Sequence, residues 1–209
     1  MSKYFTGIFF AKIESTMMNK AVFIDRDGTL IEDIPYNAEP AFIEFLPHSI
    51  EALAMLKKNN FLLILVSNQS GVARGFFTIN DVEKMHEAIQ QQLSQYNIQF
   101  DAIYYCPHHP EGKIWHYKID CECRKPKPGM ILQAASEHNI DLSNSWMAGD
   151  ILNDVEAGNA AGCKTILLDN GNETEWVLNE IRTPAFTVKN WKAIARTILS
   201  NQKVVLNDG

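Results

Sequence analysis

The sequence predicts an α/β fold, a doubly wound, Rossmann-like parallel sheet with helices on both faces. Short apolar runs at residues 21–24, 61–66, 102–105, 145–148 and 164–168 alternate with segments whose apolar residues recur at helical spacing. Most of these runs lack the in–out alternation of half-exposed strands, which suits strands covered on both faces. Carboxylates, hydroxyls and glycines cluster just after several runs, where open parallel sheets place their ligands.

The first run, residues 21–24, leads into Asp25-Arg26-Asp27-Gly28-Thr29. Side chains alternate along a strand, so Asp25 and Asp27 share a face. Gly28 lets the chain turn away sharply. Two acids this close repel each other unless a cation or a shared proton intervenes. Taken alone, the five residues also fit an ordinary solvated turn. Residues 31–46 are rich in Pro, acidic and aromatic residues and read as a loop over the strand end, with room for a small hairpin. Pro47 opens a helix carrying Ile50, Leu53, Ala54 and Leu56, which Asn59-Asn60 stops.

Residues 61–66 form the second strand, ending in Ser67-Asn68-Gln69-Ser70-Gly71. A loop leads to Thr78-x-x-Asp81, a capping pair, and to a helix striped with Val82, Met85, Ile89 and Leu93. Met85 and His86 read as helix-surface or core residues rather than ligands. The third strand, 102–105, runs straight into Cys106, and 106–126 is a polar loop without periodicity. Pro128 starts a helix with Met130, Ile131, Ala134 and Ala135 on one face. The strand at 145–148 ends in Gly149-Asp150; a helix over 151–161 closes at Gly162; the strand at 164–168 ends in Asp169-Asn170-Gly171. A last strand near 186–188 and a helix over 191–200 complete the pattern.

At 209 residues the chain fits one domain, expected over 19–205 with no large cap domain. The pattern begins only at Ala21, so residues 1–18 are expected to be a flexible extension or to precede a natural start at Met17 or Met18. Hydrophobic content of 46% with 21% charged residues indicates a soluble protein. A net charge of −6 argues against a nucleic-acid surface, and no apolar run approaches the roughly 20 residues that span a bilayer. The amino terminus lacks the pattern of a secretion signal.

Four cysteines, three of them within 106–123, suggest a reducing, cytoplasmic setting and a metal site rather than a disulfide framework. Cys106-x-His108 and Cys121-x-Cys123 give a Cys3His set suited to structural zinc. Free thiols or a disulfide are the alternatives, though a Cys121–Cys123 bond would be strained. His109 reads as a supporting or surface residue, and Cys163 as an inert core thiol.

Three more groups bear chemistry. Ser67-Asn68 offers a hydroxyl and backbone N–H groups to phosphate oxygens. Arg124-Lys125 offers a guanidinium fork and a point charge. In Gly149-Asp150-Ile151-Leu152-Asn153-Asp154, Asp150 suits a hard cation, while Asp154 could support the site or only cap the helix. Each is weak alone. Their order resembles the motif set of the haloacid dehalogenase superfamily of phosphatases, over about residues 21–169.

With the Cys/His loop, the chain is similar to the heptose 1,7-bisphosphate phosphatase family. The residues that carry this are Asp25-Arg26-Asp27-Gly28-Thr29, the run from Ser67-Asn68-Gln69-Ser70 to Gly75, Cys106-Pro107-His108-His109-Pro110 and Cys121-Glu122-Cys123-Arg124-Lys125-Pro126. The related histidinol-phosphate phosphatases share the superfamily motifs and a similar loop. Some members carry a lysine after the metal-binding aspartate, where this chain has Ile151.

The resemblance implies a magnesium-dependent phosphatase acting on a small phosphorylated sugar in surface-glycan precursor synthesis; a monomer is the default expectation, which the sequence itself does not give. Asp25 would be the nucleophile and Asp27 the general acid and base. Ser67 and Lys125 would hold the transferring phosphoryl group. Arg26, Asp33, Tyr36, Asn68, Gln69, Ser70 and Arg124 would contact the substrate. Asp25, Asp27 and Asp150 would bind Mg2+, and Cys106, His108, Cys121 and Cys123 would bind Zn2+.

Overall fold

The computed structural model describes residues 18–202. Of the expected extension only Met18 falls within them, and residues 203–205 of the expected domain lie outside. Six parallel strands form one sheet: β1 (Lys20–Ile24), β2 (Phe61–Asn68), β3 (Ala102–Cys106), β4 (Trp146–Gly149), β5 (Lys164–Leu168) and β6 (Phe186–Val188). Their order is β3-β2-β1-β4-β5-β6. The chain winds outward from β1 to β3, then returns to the other side of β1 with β4. The topological switch therefore lies between β1 and β4, and the crevice beyond their carboxyl ends is where such sheets bind ligands.

Helices cover both faces, and the alternation of β1 sorts them. Val22 and Ile24 point to one face, where α1 (Ser49–Lys58), α3 (Ile79–Ser94) and α6 (Trp191–Ser200) contribute Leu53, Met85, Ile89, Trp191 and Ile194. Ala21 and Phe23 point to the other, where α4 (Gly129–Glu137) and α5 (Leu152–Ala161) contribute Met130, Ile131, Ala134 and Ala157. These β1 side chains are fully buried, and burial of one such as Phe23 contributes about 1.5–3 kcal/mol. Continued past the strand, the same alternation sends Arg26 toward α3 and Asp25 toward α4 and α5.

The expected elements are present, with shifts at their ends. Residues 71–74, expected as loop, form a single helical turn, α2 (Gly71–Arg74), too short for a periodic signal. Ser67, Asn68 and Cys106 belong to the last turns of hydrogen bonding in β2 and β3 rather than to the loops beyond. The loop over the β1 end does form a small hairpin contact: Ile31 bridges Phe45 antiparallel, and Glu32 N–H donates to Glu44 O at 2.8 Å. The Thr78–Asp81 capping box opens α3, with reciprocal bonds of 3.3 and 2.9 Å. Among the described residues, no helix is long and apolar enough to cross a membrane.

Candidate active site

Register assembles the site. Asp25 N–H donates to Ala148 O at 3.0 Å, which sets Asp25 beside the β4 end and Asp150. Gly28 then turns the chain with φ +75°; a Cβ there would lie 2.1 Å from Asp150 Oδ2. A Cβ on Gly149 would meet the Asp154 side chain at 2.2 Å. Both glycines thus permit the close approach of acidic groups. Trp191 Nε1 donates to Thr29 O at 2.7 Å, tying the turn to the start of α6.

Asp25, Asp150 and Asp154 are all buried, and each offers a carboxylate oxygen within 4.8 Å of the others'. The buried Lys125 ammonium bonds to Asp25, donates to Val66 O at 2.9 Å and lies 2.6 Å from Asp154 Oδ1. Burial alone would lower the Lys125 pKa, but Asp154 and Asp25 outweigh it and hold it above the usual lysine range. Burial pushes Asp25 well above the ordinary carboxylate range; Lys125 opposes this, while Asp154, Asp150 and Asp27 add to it. Asp150 is pushed up to about 6, by burial first and Asp154 second, despite bonds from Asn172 at 2.7 Å and Thr29 at 2.9 Å. We read the Lys125 side of this network as charged. Three acids against one ammonium leave a negative excess, and hard oxygen donors around it suit a divalent cation such as Mg2+. The fit of the residues to that ion is therefore good.

Asp154 does both things its position allowed. It pairs with Lys125, and its Oδ2 accepts the Ile151 N–H at 3.3 Å at the start of α5.

Asp27 stands apart from the three acids. Its Oδ1 accepts Arg26 Nε at 3.0 Å and its Oδ2 accepts Gln69 Nε2 at 2.9 Å. Gln69 also donates to Ser67 Oγ at 2.6 Å. Asn68 grips the backbone of Lys125 in both directions, accepting its N–H at 3.0 Å and donating to its carbonyl at 2.9 Å. The end of β2 thereby fixes the segment that carries Arg124 and Lys125. A cleft of about 320 Å3 opens here, lined by Arg26, Asp27, Asp33, Tyr36, Asn68, Gln69 and Ser70 among others. Burial, then Asp27, raises the Asp33 pKa. The Tyr36 ring lies 4.4 Å from that of Phe76, and the Arg74 guanidinium carbon is 5.9 Å from the Tyr36 centroid.

Cys106, His108, Cys121 and Cys123 converge, with Cys121 and Cys123 sulfurs 3.0 Å apart and His108 Nδ1 3.4 Å from Cys123 Sγ. Cys106 sits on β3, so the set joins a strand end to the far side of the loop. Hydrogen bonding from Cys106 foremost holds Cys123 down to about 5, and the same bond raises Cys106. Three sulfurs and an imidazole are the donor set that Zn2+ favours. Arg124 follows directly, its Nη1 donating to His108 O at 3.4 Å. Arg74 lies in the run from Ser67 to Gly75 that carries the resemblance, but the sequence assigns it no role; it bonds His109 Nε2 at 2.9 Å and influences Arg124, whose pKa burial and then Arg74 lower. Cys163 is a buried thiol in the same core cluster as Cys106 but outside the Cys/His set, pushed up to about 12 by burial.

A sheet with these acids at its switch point is the architecture of the haloacid-dehalogenase-like hydrolases, and residues 122–194 match the family model described as HAD-hydrolase-like. The chain is 49% identical over 155 residues to the D-glycero-beta-D-manno-heptose-1,7-bisphosphate 7-phosphatase of Pasteurella multocida, covering 74% of this chain and 84% of that protein. With the protein of the same name from Escherichia coli K12, identity is 42% over 170 residues, 77% of this chain and 89% of the relative. The chain belongs to the D-glycero-beta-D-manno-heptose-1,7-bisphosphate 7-phosphatase family, whose members are phosphoric monoester hydrolases. Among solved structures, D,D-heptose 1,7-bisphosphate phosphatase from B. bronchiseptica, complexed with magnesium and phosphate, aligns with a TM-score of 0.70 at 30% identity, over 88% of this chain and 99% of that one.

Proposed function

We propose that this protein removes the 7-phosphate of D-glycero-D-manno-heptose 1,7-bisphosphate through an aspartyl-phosphate intermediate. The observation that carries the chemistry is the buried Asp25 carboxylate, set at the sheet's switch point between Lys125 and Asp150. The heptose is supported by the names of the relatives.

In this reading Asp25 attacks phosphorus in line. Asp27 gives a proton to the leaving sugar oxygen, then takes one from the water that hydrolyses the aspartyl-phosphate. Lys125, the Ser67 hydroxyl and the Asn68 backbone hold the transferring phosphoryl oxygens. Mg2+, held by Asp25, the Asp27 backbone carbonyl and Asp150, would supply the positive charge that lets a carboxylate meet a phosphate. Zn2+, held by Cys106, His108, Cys121 and Cys123, would supply a fixed crosslink under Arg124 and Lys125.

Arg124, with Arg74 beside it, suits the second phosphate of a bisphosphate, since a guanidinium fork matches phosphate oxygens. Asp33, Tyr36 and Ser70 line the cleft where the sugar would sit. The protein is read as one domain over 19–205, a monomer working in the cytoplasm.

The test is phosphate release from heptose 1,7-bisphosphate and from histidinol phosphate, side by side, with and without Mg2+. Strong Mg2+-dependent preference for the heptose supports the proposal. Preference for histidinol phosphate would keep the chemistry and replace the substrate.

A further inference from the structure

Arg26 is only 1% exposed, although it lies between two catalytic-site acids in sequence. Its guanidinium is committed within the protein: Nε to Asp27 Oδ1 at 3.0 Å, Nη2 to Gln69 Oε1 at 2.9 Å, and Nη1 facing His86 Nε2 at 3.4 Å. Gln69 completes a closed ring by donating to Asp27 Oδ2 at 2.9 Å. Both Asp27 oxygens are thus held, one by a cation and one by an amide, while the side chain keeps 30% of its surface open.

A buried guanidinium demands acceptors around it. His86, 5% exposed on α3, stands in the direction to which strand alternation sends Arg26. It meets that demand only as the neutral ring with its proton on Nδ1. Burial, and then the Arg26 charge, hold its pKa down to about 3, so the ring stays neutral.

We propose that His86 is a positioning residue for proton transfer: it pins Arg26, and through Arg26 and Gln69 it aims the Asp27 carboxylate. Arg26 and Gln69 then act on the substrate through Asp27 rather than by gripping it. This rests on Asp27 as the proton donor and acceptor described above. In the first step, the Asp27 acid proton moves to the sugar oxygen as its bond to phosphorus breaks and the Asp25–phosphorus bond forms. In the second, Asp27 takes a proton from water as the water oxygen bonds to phosphorus and the Asp25 carboxylate leaves.

The two steps differ in how they feel a misaimed Asp27. A sugar alkoxide cannot leave without its proton, whereas p-nitrophenolate can. With p-nitrophenyl phosphate, a misaimed Asp27 should leave the first step fast and slow only the second. The reading is then a burst of p-nitrophenolate, about one per enzyme, followed by a slow phase.

The experiment compares His86→Ala, His86→Gln and Asp27→Asn with the wild-type enzyme in Mg2+, by steady-state kinetics on heptose 1,7-bisphosphate and by stopped flow on p-nitrophenyl phosphate. His86→Ala should lose roughly ten- to a hundred-fold in kcat at nearly unchanged KM and show the burst, since an error of about 1 Å in placement can cost a hundred-fold. His86→Gln keeps an acceptor for Arg26 and should recover most of the rate. An unchanged kcat, a loss confined to KM, or an equal loss on both substrates without a burst would overturn the proposal. Asp27→Asn separates the two ideas. If it shows the burst and His86→Ala does not, the positioning role alone fails. If Asp27→Asn shows none, the reading of Asp27 fails and the positioning role falls with it.

Discussion

Lys125 Nζ stands 2.6 Å from Asp154 Oδ1 while also bonding to Asp25, so one buried ammonium joins α5 to the end of β1. Its replacement leaves two buried carboxylates facing each other. Breaking a buried pair by removing one partner costs about 3–5 kcal/mol. Lys125→Met should therefore lose activity and also unfold at lower urea concentration at pH 7, whereas a lysine that only touched substrate would leave the urea midpoint in place.

Asp25→Asn should behave in the opposite way. It removes the nucleophile and abolishes turnover, yet it also removes a carboxylate whose folded pKa lies well above the ordinary value of 3.8. The sign follows from linkage. The folded state penalises the ionised form, so the wild-type group destabilises the metal-free fold once pH rises above that ordinary value. At pH 7 the metal-free variant should melt no lower than the wild type. Substantial residual phosphate release would sink the nucleophile assignment.

The order of these motifs was readable because each follows a strand end or opens a helix, and the pattern of apolar runs located those ends. What the chain could not display is lateral. Alternating strands and helices do not say that β4 returns beside β1, so the approach of Asp150 to Asp25 rested on resemblance. Asp154 looked equally suited to a cap or to the site, because its pairing with Lys125 depends on how α5 packs against the loop before α4. Ser67 and Asn68 are polar enough to look like a turn while still pairing with β3. Arg26 and Gln69 read as substrate contacts, and their ring with Asp27 emerges only from the register of β1 on β2. Arg74 lay in a helical turn too short to show periodicity.

Acid should expose His86. Its folded pKa of about 3 lies below its ordinary 6.5, so between these values the unfolded chain binds a proton that the folded chain refuses. Stability is then fully present above pH 6.5 and falls as pH drops, by up to roughly 1.4 kcal/mol per unit from this group. Urea titrations at pH 7, 6, 5 and 4 should show a shallower decline in His86→Gln than in the wild type. Parallel slopes would mean that the buried ring accepts its proton as easily as a free one.

The Cys/His cluster makes a separate forecast. Cys121→Ser should bind less zinc, read by elemental analysis of the purified protein, and should melt at a lower temperature because β3 and the loop before α4 lose their link. A chelator should lower the wild-type melting temperature and leave the variant nearly unchanged. A full zinc complement in the variant would contradict the four-residue ligand set.

Arg124 should separate bisphosphates from monophosphates. It lies beside Arg74, whose Nε is buried without a protein partner among the described residues. Two guanidiniums this close repel, and a phosphate dianion between them would relieve both. Hydrogen bonds to charged groups contribute about 1.5–3 kcal/mol, so Arg124→Ala should raise KM for heptose 1,7-bisphosphate roughly ten- to a hundred-fold. Its effect on a sugar with only the scissile phosphate should be small, because the lost contact is to the other one. Arg124→Lys should fall between, since an ammonium keeps the charge but not the fork. If both substrates lost affinity equally, Arg124 would belong to the transferring phosphoryl group beside Lys125, and the preference for a second phosphate would need another origin.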